Sequence, residues 1–539
     1  MKRSDLRVPL AFACAALLLI LAVAGSMAGV RADSQLSGPV VQTSSGPVRG
    51  LTDAQGLLMF RGIRYGAPPT GEFRFRPPRK PAPWVEVADA TKLGNKAIQA
   101  GGAPGTASDG PGMSEDCLFL NVWTPGTDRK KRPVMVWLHG GGFSSGSGGD
   151  AINDAGNLAR IGDVVVVALN HRLNVFGFLQ LGPEWGPDYR SSGQSGMLDI
   201  VLGLEWVRDN VAAFGGDPAN VTIFGESGGG RKVAMLLAMT RASGLFHKAI
   251  IQSGAGLDAP AAAEAAAYGR QLLEKLGIAE GDVEALARAD AMTILKAQPP
   301  ASASASPPGK LFMPTGGFVP CVDGVALTRQ PFIPDAPGVS ARVPLLIGSN
   351  KDEMTIFRTR DPSLWSATDK DFEDYVRRSL PGQAEELIPA LGAAFPGYSP
   401  AHLITAAETM KGYWIATVVQ AERKARQSAP VFAYLLAWET PASDGRLRSH
   451  HALDLPLVFN NVESSRAMVG PGPDPQRVAD AMSAAWAAFA RTGDPNAEGL
   501  PHWPRYDLKD RSTMIFDVTS RVQKDPYREI RRILMKALE

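Results

Sequence analysis

An α/β fold on a mostly parallel central sheet is the architecture that this 539-residue sequence predicts. Three observations carry it. Residues 164–170, VVVVALN, form a continuous run that suits a strand buried on both faces, as parallel strands are. Residues 200–214 have helical spacing, with Leu204, Val207 and Val211 on one face. Strand-like and helix-like segments then alternate along the chain, which favours parallel pairing.

The elements follow in order. Residues 37–50 and 57–65 read as short strands with glycine turns. Residues 66–84 are rich in proline and arginine and read as irregular; residues 100–113 read as a loop. Residues 133–138 make a short apolar strand that ends at a glycine cluster. A strand at 221–224 leads into a helix at 233–239. Residues 298–309 are low-complexity and read as a surface loop, and 343–347 and 431–436 repeat the strand pattern. Nothing repeats internally and no linker separates two cores, so residues 33–539 are expected to form a single domain with large loop and helical insertions.

Residues 1–32 read differently. Lys2, Arg3 and Arg7 precede an apolar run that continues to about Ala24. Val30-Arg31-Ala32 fits a cleavage site, with Ser26-Met27-Ala28 as the alternative, so the segment reads as a secretory signal peptide. An uncleaved anchor is the competing reading, because residues 8–29 are long enough to span a bilayer. The expectation is a secreted or periplasmic protein with no stable membrane span once the signal is cleaved. Removing residues 1–32 takes away four basic groups and one acid, leaving 52 basic and 53 acidic residues. That near-neutral balance argues against a nucleic-acid partner. With 45% hydrophobic residues, the chain lacks the composition of a disordered protein. No H-E-x-x-H and no Cys/His cluster is present, so no metal and no cofactor is expected.

The chemistry starts at Ser227, in Gly225-Glu226-Ser227-Gly228-Gly229. This G-x-S-x-G lies between a strand and a helix, where a tight turn holds the hydroxyl out above the sheet. An acyl-transfer nucleophile needs donors for the oxyanion, and two sources are present. One is the backbone N–H of Gly228. The other is His139-Gly140-Gly141-Gly142-Phe143, directly after the strand at 133–138, with Gly141 and Gly142 as the expected donors.

With these motifs the chain resembles the type-B carboxylesterase/lipase family, α/β-hydrolases that include bacterial p-nitrobenzyl esterases and cholinesterases. The resemblance spans nearly all of residues 37–520. Its landmarks include Phe60-Arg61-Gly62-Ile63-Arg64-Tyr65, Glu115-Asp116-Cys117-Leu118, Phe214-Gly215-Gly216-Asp217-Pro218 and Phe489-Ala490-Arg491-Thr492-Gly493-Asp494-Pro495. It implies an α/β-hydrolase fold and an ester hydrolase working through an acyl-enzyme on small-molecule esters. In this fold the order is nucleophile, acid, histidine. His451-Ala452-Leu453-Asp454-Leu455-Pro456 is similar to the family's histidine loop, which makes His451 the base and His450 its bystander. The stretch Asn350-Lys351-Asp352-Glu353 is similar to the family's acid stretch, which makes Glu353 the acid, with Asp352 as the alternative.

Further expectations come with the resemblance. Arg74 should pair with Glu115, and Arg172 with Asp199. Cys117 matches a half-cystine of many relatives, but its partner position is not cysteine here, so Cys117 and Cys321 are expected to be free and buried. Many relatives have Ala where this chain has Gly228, and Ser where it has Lys232. Phe143, Phe312, Phe318 and Trp414 are the candidate walls of the substrate pocket. Residues 98–113 lack any aromatic side chain that could face a quaternary cation, so choline esters are expected to be poor substrates beside short-to-medium neutral esters. Two alternatives stay open: the same triad acting on carbamates, amides or thioesters, and a non-catalytic binding protein on the same fold.

Overall fold

Eleven strands make the central sheet of the computed structural model, which describes residues 38–101, 110, 112–299 and 317–538. In chain order they are β1 (Leu51–Thr52), β2 (Leu58–Arg64), β3 (Phe119–Thr124), β4 (Arg132–Leu138), β5 (Val165–Leu169), β6 (Gly216–Glu226), β7 (Lys248–Gln252), β8 (Leu345–Asn350), β9 (Val431–Leu436), β10 (Ser512–Phe516) and β11 (Arg521–Lys524). Their order across the sheet is β11-β10-β9-β8-β7-β6-β4-β5-β3-β2-β1. Every neighbouring pair from β5 through β10 is parallel, and the edge pairs are antiparallel. The sheet is therefore mixed, with a parallel centre. Strands Val40–Gln42, Pro47–Arg49 and Ala88–Asp89 form a separate small sheet.

Alternation along the strands explains why both faces are covered. Val134, Val136 and Leu138 of β4 enter one apolar cluster, while Met135 and Trp137 enter the other. Every residue of β4, β5, β7, β8 and β9 is buried. Helix α1 (Ser195–Asn210) packs into the first cluster through Ile200, Leu204 and Val207; α4 (Asp474–Thr492) packs into the second through Val478, Met482 and Trp486. Helix α2 (Gly228–Ala238) follows β6, and α3 (Ile415–Lys424) precedes β9.

The expected elements appear with shifted ends. β6 begins five residues before the apolar run at 221–224, because the Asp217-Pro218 stretch joins the sheet through an irregularity between Arg132 and Val134. Both expected ion pairs form. Arg74 binds both Glu115 oxygens at 2.6 and 2.7 Å; Arg172 binds both Asp199 oxygens at 2.8 and 2.7 Å. Cys117 and Cys321 are buried free thiols. Among the described residues no helix is long and apolar enough to cross a membrane. Residues 1–32, where a signal peptide is expected, most of the loop at 298–309 and Phe312 lie outside the described residues.

Candidate active site

Ser227 stands where β6 hands over to α2, at the C-terminal edge of the parallel strands. Its backbone has φ 57° and ψ −120°, a left-handed conformation that side chains adopt only under strain. The bend needs bare glycines around it. A Cβ on Gly225 would press on Gly229, and one on Gly229 would run into the Leu138 carbonyl oxygen. Ser227 N–H donates to the Gln252 carbonyl at 2.9 Å, which ties the elbow to β7.

The turn after β4 comes down beside it. Gly141 and Gly142 have φ of 81° and 63°, so their peptide planes turn in a way that an ordinary side chain would resist. Ser145 N–H donates to the Gly141 carbonyl at 3.1 Å and closes the turn. The turn touches the elbow directly: a Cβ on Gly140 would lie 3.6 Å from Ser227 Cβ, and one on Gly228 would collide with the Gly142 carbonyl oxygen. The glycine turn and the elbow that carry the three expected oxyanion donors are thus in contact.

His451 and Glu353 come from loops after β9 and β8. His451 Nδ1 lies 2.6 Å from Glu353 Oε2, and Asn350 N–H donates to Glu353 Oε1 at 2.8 Å. With Nδ1–H held by the carboxylate, Nε2 is left as the basic nitrogen. The neighbouring alternatives face elsewhere. Asp352 accepts from Tyr398 Oη at 2.7 Å, and His450 Nδ1 sits 2.7 Å from its own chain's His451 carbonyl. Burial pushes His450 down to about 4 and Asp352 up to about 6, so both are disposed toward their neutral forms.

Glu226 completes the electrostatics. Its Oε1 lies 3.1 Å from His451 Nε2, too poorly aligned for a hydrogen bond. The Ser227 hydroxyl makes no hydrogen bond with any described residue. Catalytic contacts of this kind are often loose before substrate arrives. Burial opposes a charged imidazole, but Glu226 and Glu353 outweigh it and lift His451 from 6.5 to about 9. Burial also lifts Glu226 to about 8, with His451 pulling it down and Asp454 and Glu353 pushing it up.

Of the four aromatics expected to wall the pocket, Phe312 lies outside the described residues, and the other three pack as follows. Trp414 turns away from His451 and packs edge-on against Tyr527 at 5.7 Å. Its neighbour Tyr413 meets His451 instead, at 5.1 Å, because the two sit on a π-helical turn, Met410–Trp414, where successive side chains point in different directions. Phe357, 54% exposed, flanks the same ring at 5.1 Å. Phe357 lies four residues after Glu353, a helical spacing that could have flagged it; Tyr413 carries no comparable mark. Phe143 is buried against Phe178, and Phe318 against Tyr268. Lys232 is wholly buried under the glycine turn, donating to the His139 and Gly142 carbonyls at 2.9 and 3.0 Å.

Comparison with known proteins identifies the family. The profile of the Carboxylesterase family matches residues 37–532. The para-nitrobenzyl esterase of Bacillus subtilis (strain 168) is 36% identical over 92% of this chain and 98% of its own. The phenmedipham hydrolase of Pseudarthrobacter oxydans is 33% identical over 88% of this chain and 94% of its own. A solved Geobacillus stearothermophilus carboxylesterase superposes with a TM-score of 0.80 at 38% identity, covering 92% of this chain and 99% of that one. The chain belongs to the carboxylesterase family, has the α/β-hydrolase fold and is a carboxylic-ester hydrolase.

Proposed function

We propose that Ser227, His451 and Glu353 hydrolyse the ester through an acyl-enzyme, with the N–H groups of Gly141, Gly142 and Gly228 holding the oxyanion. The observation that carries this is the 2.6 Å contact between His451 Nδ1 and Glu353, set beside a serine at a strained strand-to-helix elbow. Neutral His451 takes the serine proton as the hydroxyl attacks the carbonyl carbon. Glu353 stabilises the imidazolium so formed. His451 then returns the proton to the leaving alkoxide, and the alcohol departs. A water, activated by the same base, attacks the acyl-enzyme and releases the acid. Ser227→Ala is expected to reduce turnover of p-nitrophenyl butyrate by about 10⁴-fold or more without loss of fold. An organophosphate is expected to add one covalent group to the Ser227 peptide. Retention of more than about a tenth of the activity would overturn the assignment.

The substrates proposed are short-to-medium acyl esters of uncharged alcohols. Tyr413 and Phe357 beside His451 supply an apolar wall. Residues 98–113 bring no aromatic side chain to face a quaternary cation, so nothing in that loop offsets the desolvation of a choline ester. Comparison of kcat/KM for p-nitrophenyl butyrate and butyrylthiocholine tests this; a better choline ester rejects it. The leader at residues 1–32 supports export to the periplasm or beyond.

A further inference from the structure

Lys232 sits on the second turn of α2, five residues after Ser227, with no exposed surface. Among the described residues no carboxylate comes within ion-pair distance of it. Its nitrogen has two hydrogen-bond acceptors, the carbonyls of His139 and Gly142. The ring of Phe143 lies 5.5 Å away. His139 and His171, stacked at 4.8 Å, add no counter-charge: burial and then the nearby lysine drive both far toward the neutral form. A buried amine is costly to the fold, and the Glu226 charge that favours its protonated form acts from beyond ion-pair distance. What it does hold is specific, because its two acceptors bracket the turn Gly140-Gly141-Gly142.

Gly228 is part of the same device. The Gly142 carbonyl that Lys232 binds occupies the space where a Cβ at position 228 would lie. The same carbonyl thus meets the lysine and fills the space that only a glycine at position 228 leaves open.

We propose that Lys232 is a positioning residue for ester hydrolysis, tying both ends of the glycine turn so that the Gly141 and Gly142 N–H groups converge on the oxyanion. This rests on Ser227 being the nucleophile and the turn being the oxyanion holder. Lys232 itself touches no reacting atom. Its effect belongs to the transition state, since the tetrahedral oxyanion uses these donors more fully than the substrate carbonyl does.

The test compares the parent with Lys232→Met and Lys232→Gln on p-nitrophenyl butyrate, and with an alkyl trifluoromethyl ketone that adds to the serine as a charged tetrahedral adduct. Lys232→Met is expected to lower kcat by about 10- to 100-fold, to leave KM within about threefold, and to weaken the ketone by a factor similar to that on kcat. Lys232→Gln, which keeps N–H donors without the charge, is expected to fall between. Gly228→Ala is expected to lose activity, and Gly228→Ala with Lys232→Ser to regain part of it, because the turn is no longer drawn into the new methyl group. A folded Lys232→Met with kcat and ketone affinity within about twofold of the parent overturns the proposal. If Lys232→Met does not fold, Lys232→Gln decides: a kcat and ketone affinity within about twofold of the parent overturn it equally. Ser227→Ala separates the two levels. If it is inactive while Lys232 variants are normal, this inference alone falls; if it is active, the site beneath it falls.

Discussion

Glu226 and His451 face each other across 3.1 Å, and in its proposed role His451 is a base only while its imidazole is neutral. Activity is therefore lost as pH falls through the pKa of the imidazole. The carboxyl groups beside it favour the protonated ring and hold that pKa above its ordinary 6.5. Removing one of those negative charges lowers it. Glu226→Gln is expected to move the acid limb of the kcat/KM profile to lower pH by about one unit. The limb belongs to the pair rather than to one residue, since the two groups titrate against each other. An unmoved limb would mean that the Glu226 charge does not reach the base.

At the scale of elements, the loop after β5 is joined to α1 by one buried ion pair. Arg172 and Asp199 are both almost completely inaccessible, and Asp199 Oδ2 also accepts the Arg172 backbone N–H at 2.9 Å. Such a pair adds little net stability over apolar packing, but an orphaned member is expensive. Asp199→Ala is expected to lower the unfolding free energy by about 3–5 kcal/mol, read as a shifted urea midpoint at constant slope. Replacing both partners, Arg172→Met with Asp199→Leu, is expected to cost less than Asp199→Ala alone, because no unpaired charge remains. Equal costs would show that packing, not charge, sets the penalty. The strand-to-helix elbow obeys a different rule: its strain at Ser227 is held by the hydrogen bond to β7 and by glycines that leave no side chain in the way.

Across the whole molecule, the two apolar layers on either face of the sheet hold the fold without a disulfide between Cys117 and Cys321. Burial pushes both thiols toward the protonated form, Cys321 to about 12. Thiolate is the reactive species, so both are expected to resist thiol reagents in the native state and to react fully in denaturant. A reducing agent is expected to leave Tm unchanged. A drop in Tm on reduction would reveal a bond that the buried thiols do not make.

The strand-to-helix elbow at Ser227, the glycine turn and the parallel strands were legible in the sequence because each is a local pattern. A bend between strand and helix needs glycine at fixed offsets, and a doubly buried strand needs an unbroken apolar run. Glu353 and His451 were legible only through resemblance, since they are 98 residues apart and nothing local makes them meet. The tertiary structure decided the remainder. It brought Tyr413 to His451 and turned Trp414 aside, it set Glu226 against the base, and it placed Lys232 beneath the glycine turn. The physical reason is that a motif specifies backbone shape over a few residues, whereas the neighbours of a side chain depend on how distant elements pack.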